Sequence, residues 1–219
     1  MPATLRIGLL DSDSDVRSGR KMTLSSRSDF EIVFESQGQA EDLESIAQSL
    51  IDVLVIDQKL GLGPGVEFYS RLRALTGAKQ APAAVLTCSY TQDTLTAEAL
   101  EQGIQAIVSL ELGLGALADE VALAPSGKHK ESVLDLHQLL SRVSLKPQLD
   151  LDFMRLVSEL PEKLSSNLRR FHSVWQKGDS SKLADYEISS LDALVARLPV
   201  RTTSELVIRL HRSGLLDVK

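Results

Sequence analysis

The sequence predicts an α/β chain, a doubly wound five-stranded parallel sheet followed by an all-α C-terminal domain. Three observations predict it. Short apolar runs alternate with helical patterns through the first half of the chain. The most apolar run, Val53-Leu-Val-Ile, ends in one carboxylate, Asp57, and then in a Gly/Pro-rich loop. Beyond residue 126 the patterns are helical only. Parallel strands need crossover connections, which helices supply, so the alternation implies a parallel sheet covered on both faces.

Taken in order, Leu5-Arg-Ile-Gly-Leu-Leu10 is a first buried strand. Asp11-Ser-Asp-Ser-Asp15 supplies short side-chain oxygens that cap the free N–H groups of a helix running to about Ser25. Phe30-Glu-Ile-Val-Phe-Glu35 is the second strand, and apolar residues at 43, 46, 47 and 50 give Glu41 to Leu50 helical spacing. The Val53–Asp57 run, short and bounded by turn signals, suits a strand buried on both faces. A helix over Val66–Leu75 follows, then a fourth strand at Ala83-Ala-Val-Leu-Thr87. Thr94 to Gln102 forms a helix stopped by Gly103, Ala106-Ile-Val-Ser109 is the fifth strand, and Leu112 to Leu123 is the last helix of this unit.

Ala124-Pro-Ser-Gly-Lys-His-Lys130 is a linker by composition. Glu131 to Val143 has apolar positions 134, 136, 139, 140 and 143 and forms a connecting helix that Lys146-Pro147 ends. Helices are expected at Leu151–Leu160, Glu162–Gln176, Ser180–Leu198 and Thr203–Ser213, with N-cap chemistry at Gly178-Asp-Ser-Ser. The boundaries implied are residues 1–124 for the α/β domain, 125–147 for linker and connecting helix, and 148–219 for a helical output domain.

Composition narrows the function classes. The chain has 219 residues, 43% hydrophobic and 25% charged, as expected of a globular protein with a substantial core. No apolar run approaches the roughly 20 residues that span a bilayer, and the N-terminus lacks signal-peptide character, so a cytoplasmic location without membrane association is expected. The single cysteine, Cys88, excludes an internal disulfide and a cysteine-rich metal site. His129, His137, His172 and His211 lack ligand spacing, and no nucleophile–base pair is recognisable, so an independent enzyme is not expected. Residues 1–125 hold 9 Lys+Arg against 18 Asp+Glu, a net of −9, whereas 126–219 hold 15 against 12, a net of +3. That asymmetry suggests two units with different partners.

Asp57 lies at the carboxyl end of its strand, where open α/β sheets place their sites; its other use would be to cap the loop. The ends of the first and third strands bring Asp11, Asp13 and Asp57 to one rim. Three carboxylates there repel one another unless a divalent cation neutralises them, and hard oxygen ligands suit Mg²⁺. No Gly-x-Gly-x-x-Gly turn follows the first strand, so a dinucleotide site is not expected.

Asp11 after the first strand, Val16-Arg17, Asp57 after the third strand, Gly65 eight residues on, Thr87 after the fourth and Ala99-Leu-Glu-Gln-Gly103 together resemble the receiver domain of bacterial two-component response regulators, a flavodoxin-like fold. The resemblance covers about residues 4–124. It implies that Asp57 accepts a phosphoryl group from a histidine kinase, that Asp11, Asp13 and Asp57 hold Mg²⁺, that Thr87 is the switch hydroxyl, and that the surface formed by the helix at 91–102, the strand at 105–109 and the helix at 112–123 makes a homodimer. Three positions depart from the family. The first-strand acidic pair falls on Asp11-Ser12, the usual loop proline is Gly61, and Leu110 stands where the family has a lysine. Losing that lysine removes a charge that stabilises the transferred phosphoryl oxygens.

Ala196-Arg-Leu-Pro-Val-Arg-Thr-Thr-Ser-Glu-Leu-Val207 and Leu210-His-Arg-Ser-Gly-Leu-Leu216 resemble the closing helices of LuxR-type helix-turn-helix output domains. The spacing from Gly178 to Leu198 is several residues short of that family's. Arg169, Arg170, Lys177, Lys182, Arg197 and Arg201 are candidate contacts to DNA phosphates, which carry affinity without sequence information. The helices also resemble histidine phosphotransfer bundles, but no histidine lies between 173 and 210. The function expected is an atypical response regulator, its receiver-like domain controlling a helical, DNA-binding transcriptional output. The alternative is a phosphorylation-independent protein–protein adaptor with a pseudo-receiver and a helical dimerisation module.

Overall fold

The structure is a computed structural model that describes residues 4–61, 63–127, 132–148, 150–186 and 188–216. The linker residues Lys128 to Lys130 lie outside the described residues. The chain divides into two compact units, Met1–Gln92 with Ile104–Lys128, and Asp93–Gly103 with His129–Lys219.

In the first unit the chain runs β1 (Leu5–Leu10), α1 (Ser14–Ser25), β2 (Phe30–Ser36), α2 (Asp42–Gln48), β3 (Val53–Asp57), α3 (Gly65–Thr76), β4 (Ala83–Cys88), β5 (Ala106–Ser109) and α5 (Gly113–Leu123), with α4 (Asp93–Glu101) between β4 and β5 in sequence. All five strands are parallel, in the order β2-β1-β3-β4-β5. The expected doubly wound sheet is therefore present. Successive side chains of a strand face opposite sides. Ile7, Leu9, Val53, Val55 and Val85 share one core with Leu24 of α1 and with Leu117 and Val121 of α5. Their alternates Leu10, Leu54, Ile56 and Leu86 are just as buried. Both faces being covered is why these strands read as apolar runs rather than alternating ones.

The register fixes the rim. Leu10 pairs with Ile56, so Asp11 lies one residue past the pairing, alongside Asp57. Asp57 pairs directly with Thr87. After β3 the chain makes a two-residue antiparallel ladder, Lys59–Leu60 against Gly63–Pro64, before α3 begins at Gly65. Gly65 is required there: a Cβ on it would stand 2.1 Å from the Asp57 carbonyl oxygen.

The second unit is all-helical: α4, α6 (Val133–Arg142), α7 (Leu151–Ser158), α8 (Glu162–Lys177), α9 (Ser180–Ala184), a 3₁₀ turn at Ile188–Leu191, α10 (Asp192–Arg197) and α11 (Thr203–Arg212). Its core includes Leu136 and Leu140 of α6, Phe171 and Trp175 of α8, and Leu206 and Leu210 of α11, with Ala97 and Leu100 of α4 packed among them. Arg142 pairs with Asp93 at 2.7 Å, and Arg212 pairs with the largely buried Glu101.

Three expectations are corrected. Chain order places α4 within residues 1–124, but its apolar side belongs to the helical core, so the packing does not follow chain order there. For the same reason α4 does not offer that side for pairing two copies. The segment 133–142 is a core helix rather than a connector; Val133, Leu136, Leu139 and Leu140 are all buried. The single helix expected over Ser180–Leu198 is broken. Asp185, Tyr186, Ser189 and Ser190 are weak helix formers, and the aspartate and the two serines favour caps and turns over helix interiors. Among the described residues no helix is long and apolar enough to cross a membrane.

Candidate functional site at the carboxyl rim of the sheet

The rim is organised by a residue that the sequence reading did not single out. Arg20, on the sheet-facing side of α1 one turn before the fully buried Leu24, is only 2% exposed. Its Nη1 pairs with Asp11 Oδ2, and its Nη2 donates to Asp57 Oδ2 at 2.9 Å. Arg20 Nε is buried without a hydrogen-bond partner among the described residues. The signal that could have found it was a charged residue at helical spacing from the apolar Leu24, on the face turned to the sheet.

Each of the remaining carboxylate oxygens also has a donor. Asp57 Oδ2 also accepts from Thr87 Oγ1 at 3.1 Å, and Asp57 Oδ1 accepts from the Lys59 N–H at 2.9 Å. Asp11 Oδ1 accepts from the Asp13 N–H at 2.9 Å, and the Asp11 carbonyl accepts from Arg17. Burial raises the Asp11 carboxyl above its ordinary range; the Asp13 N–H and Arg20 oppose that shift. Asp13 turns away to cap α1, accepting from the N–H groups of Asp15 and Val16. Those two backbone bonds hold its carboxyl below the usual range.

The expected set of Asp11, Asp13 and Asp57 is thus brought together only as the pair Asp11 and Asp57. Like-charge repulsion between them is relieved by a guanidinium. The resemblance implies Mg²⁺ at this rim, and the residues can be tested against it. A divalent cation would need the two carboxylate oxygens that face one another, Asp11 Oδ2 and Asp57 Oδ2, and the Arg20 guanidinium already pairs with both. Here every Asp11 and Asp57 oxygen already accepts from a protein donor, and the Ser12 hydroxyl donates to the Lys59 carbonyl. Among the described residues no group of three or more acidic, histidine or cysteine side chains is placed to hold a metal. The rim as arranged does not fit the ion.

Thr87 is fully buried and faces Asp57, where a switch hydroxyl is expected. Leu110 follows β5 and is 41% exposed, an apolar side chain where the resemblance implies a lysine. Burial pushes the Cys88 thiol up, which suits a small buried hydrophobe and not a nucleophile.

In the helical unit the candidate DNA contacts are dispersed. Arg170 and Lys182 line one cleft of about 530 Å³ with Asn167, Val174, Asp185 and Tyr186. Arg169 is exposed and pairs with Glu162, Lys177 and Arg197 are exposed, and Arg201 is half-buried with its N–H donated to Glu205 at 2.9 Å. Helix α9 has five residues and α10 six.

No family model matches the chain, and no curated protein matches it in sequence. Solved structures do match in fold. A LuxR-family two-component response regulator from Aurantimonas sp. SI85-9A1 shares 20% identity and a TM-score of 0.54 over 64% of this chain and 97% of that one. The signal receiver domain of the NarL response regulator from Mycobacterium tuberculosis shares 21% identity and a TM-score of 0.52 over 58% of this chain and all of that one. The RcsB response regulator of Salmonella typhimurium matches 100% of this chain with 95% of its own, at 14% identity and a TM-score of 0.53. The first unit therefore has the receiver fold, followed by helices.

Proposed function

We propose that the chain is an atypical response-regulator-type signalling protein, in which the receiver-like unit works without phosphoryl transfer and the helical unit carries the output. The observation that supports this reading is the buried Arg20 on Asp57. Phosphoryl transfer to a carboxylate needs a free oxygen and positive charge beside the incoming phosphoryl oxygens. Asp57 has its oxygens engaged by Arg20, Thr87 and Lys59, and the position that would supply the second charge is Leu110. Neither a histidine kinase nor Mg²⁺ enters this reading for the native chain, and the rim has no catalytic role in it. A homodimer, where formed, would use α5 and its exposed Leu123 rather than α4.

For the output, the reading is duplex DNA held through its phosphates. Arg170 and Lys182 share a cleft, Arg169, Lys177 and Arg197 are exposed on the same unit, and the RcsB match, from work on that protein's dynamism for DNA interaction, extends over this unit. With six residues α10 is about 9 Å long, too short to lie along a major groove as a recognition helix. Binding would then be tolerant of sequence. That same shortness favours a second reading, a protein–protein adaptor. Fluorescence anisotropy of a labelled duplex with the full chain, titrated with salt, separates them. The DNA reading expects affinity to fall steeply and log-linearly with salt; no binding at low salt leaves the adaptor. For the receiver half, intact mass after acetyl phosphate and MgCl₂ should show no added phosphate. A phosphate on the native chain that is absent from Asp57→Ala would refute it.

A further inference from the structure

We infer that Arg20 is the resident cation of the rim: its guanidinium stands between Asp11 and Asp57 where a divalent ion would have to stand, so the native chain excludes Mg²⁺ and Mn²⁺ there, and a neutral side chain at position 20 creates a divalent-cation site. The inference deepens the phosphorylation-independent reading and rests on the same rim.

The geometry is specific. One guanidinium reaches two separate carboxylates, each through a different terminal nitrogen. A planar fork with several donors can do this, which the single point charge of an ammonium does less well. The arginine is not a surface side chain folded inward. Arg20 and Leu24 lie four residues apart on the buried side of α1, so the helix register itself delivers the guanidinium to the rim. Arg20 and Asp11 are 2% and 3% exposed, so the pair is shielded from solvent.

Removing the guanidinium changes the balance. Asp11 Oδ2 and Asp57 Oδ2 would then face each other across the space it held, two carboxylates without the cation that joined them, an arrangement that raises affinity for any cation able to fill it. Two carboxylate oxygens completed by water are a common donor set for Mg²⁺. Asp13 is not required, because its carboxylate is committed to capping α1.

The test counts bound Mn²⁺ by the loss of its free electron paramagnetic resonance signal, on the full-length chain. Four proteins are compared: native, Asp57→Asn, Arg20→Leu, and Arg20→Leu with Asp57→Asn. The native chain should show no saturable site at millimolar Mn²⁺. Arg20→Leu should gain one site, tighter than any native binding by about a hundredfold or more, and the double variant should lose it. Saturable binding by the native chain that Asp57→Asn abolishes overturns the inference, as does a folded Arg20→Leu that binds no better than native. Circular dichroism checks the fold, and Arg20→Gln, which keeps the length and part of the hydrogen bonding, takes the place of Arg20→Leu if that variant does not fold. The count reads metal alone and the mass assay reads phosphate alone, so failure of this inference and failure of the proposed function are told apart.

Discussion

Arg20 Nη2 lies 2.9 Å from Asp57 Oδ2, and the arginine carrying it is 2% exposed. A cation from the first helix is thereby held on the carboxylate that ends the third strand. Removing one partner of a buried ion pair leaves the other charge uncompensated, at a cost of about 3–5 kcal/mol. Arg20→Ala should therefore destabilise the chain by about 3 kcal/mol in urea unfolding. Asp57→Asn should cost less, because Asp57 keeps 18% side-chain exposure and Asp11 still pairs with Arg20. A loss below about 0.5 kcal/mol for Arg20→Ala, the range of ordinary surface changes, would contradict the buried pairing.

Gly65 makes the turn that lets α3 start beside Asp57. A Cβ there would meet the Asp57 carbonyl oxygen at 2.1 Å and the Ile56 side chain at 2.8 Å. The first neighbour is backbone and cannot swing away. Gly65→Ala should cost about 3 kcal/mol, at the upper end for overpacking, and should move the Asp57 and Thr87 amide resonances in a heteronuclear NMR spectrum. Unchanged stability would mean that the chain approaches α3 differently.

Helix α4 gives a prediction about packing rather than about the rim. Leu100 is fully buried in the core that also holds Trp175, the only tryptophan. Leu100→Ala should lower stability by about 2–5 kcal/mol, and the loss should appear in the unfolding transition followed by tryptophan fluorescence. If α4 instead packed with the sheet as chain order suggests, the tryptophan signal would be the one left unmoved.

The acid limb of stability has a definite sign. A hydrogen bond from Arg142 holds the Asp93 carboxyl below its ordinary value, and the Ser181 hydroxyl with the α9 backbone does the same for Asp179. Groups depressed in the fold contribute stability above the unfolded value, about pH 4, and lose it as pH falls through the folded value. The native chain should lose more stability between about pH 6 and about pH 3 than Asp93→Asn with Asp179→Asn. Urea midpoints at the two pH values decide it, and equal losses would contradict the assignment.

Much of the first unit could be read from the sequence, because both faces of its sheet are covered and the strands announce themselves as apolar runs. Leu5–Leu10, Val53–Asp57 and Ala106–Ser109 fall where periodicity places them, and the placing of Asp57 beside Thr87 follows from parallel register. Arg20 escaped notice because an arginine in a helix is ordinarily solvated, and its burial depends on two carboxylates that are 9 and 37 residues away. The partner of α4 was equally hidden. Periodicity gives a helix an apolar side and says nothing of what covers it. The break in 180–198 is written in Asp185, Tyr186 and the serines.

The space between Asp11 and Asp57 holds either the Arg20 guanidinium or a metal ion, and the two are distinguishable. Crystals of the native chain grown in MnCl₂, with diffraction recorded near the manganese absorption edge, would locate any ion there by anomalous scattering. The prediction is no anomalous peak at the rim and continuous density for the Arg20 guanidinium touching both carboxylates. A manganese peak bridging Asp11 and Asp57, with Arg20 turned aside, would contradict it.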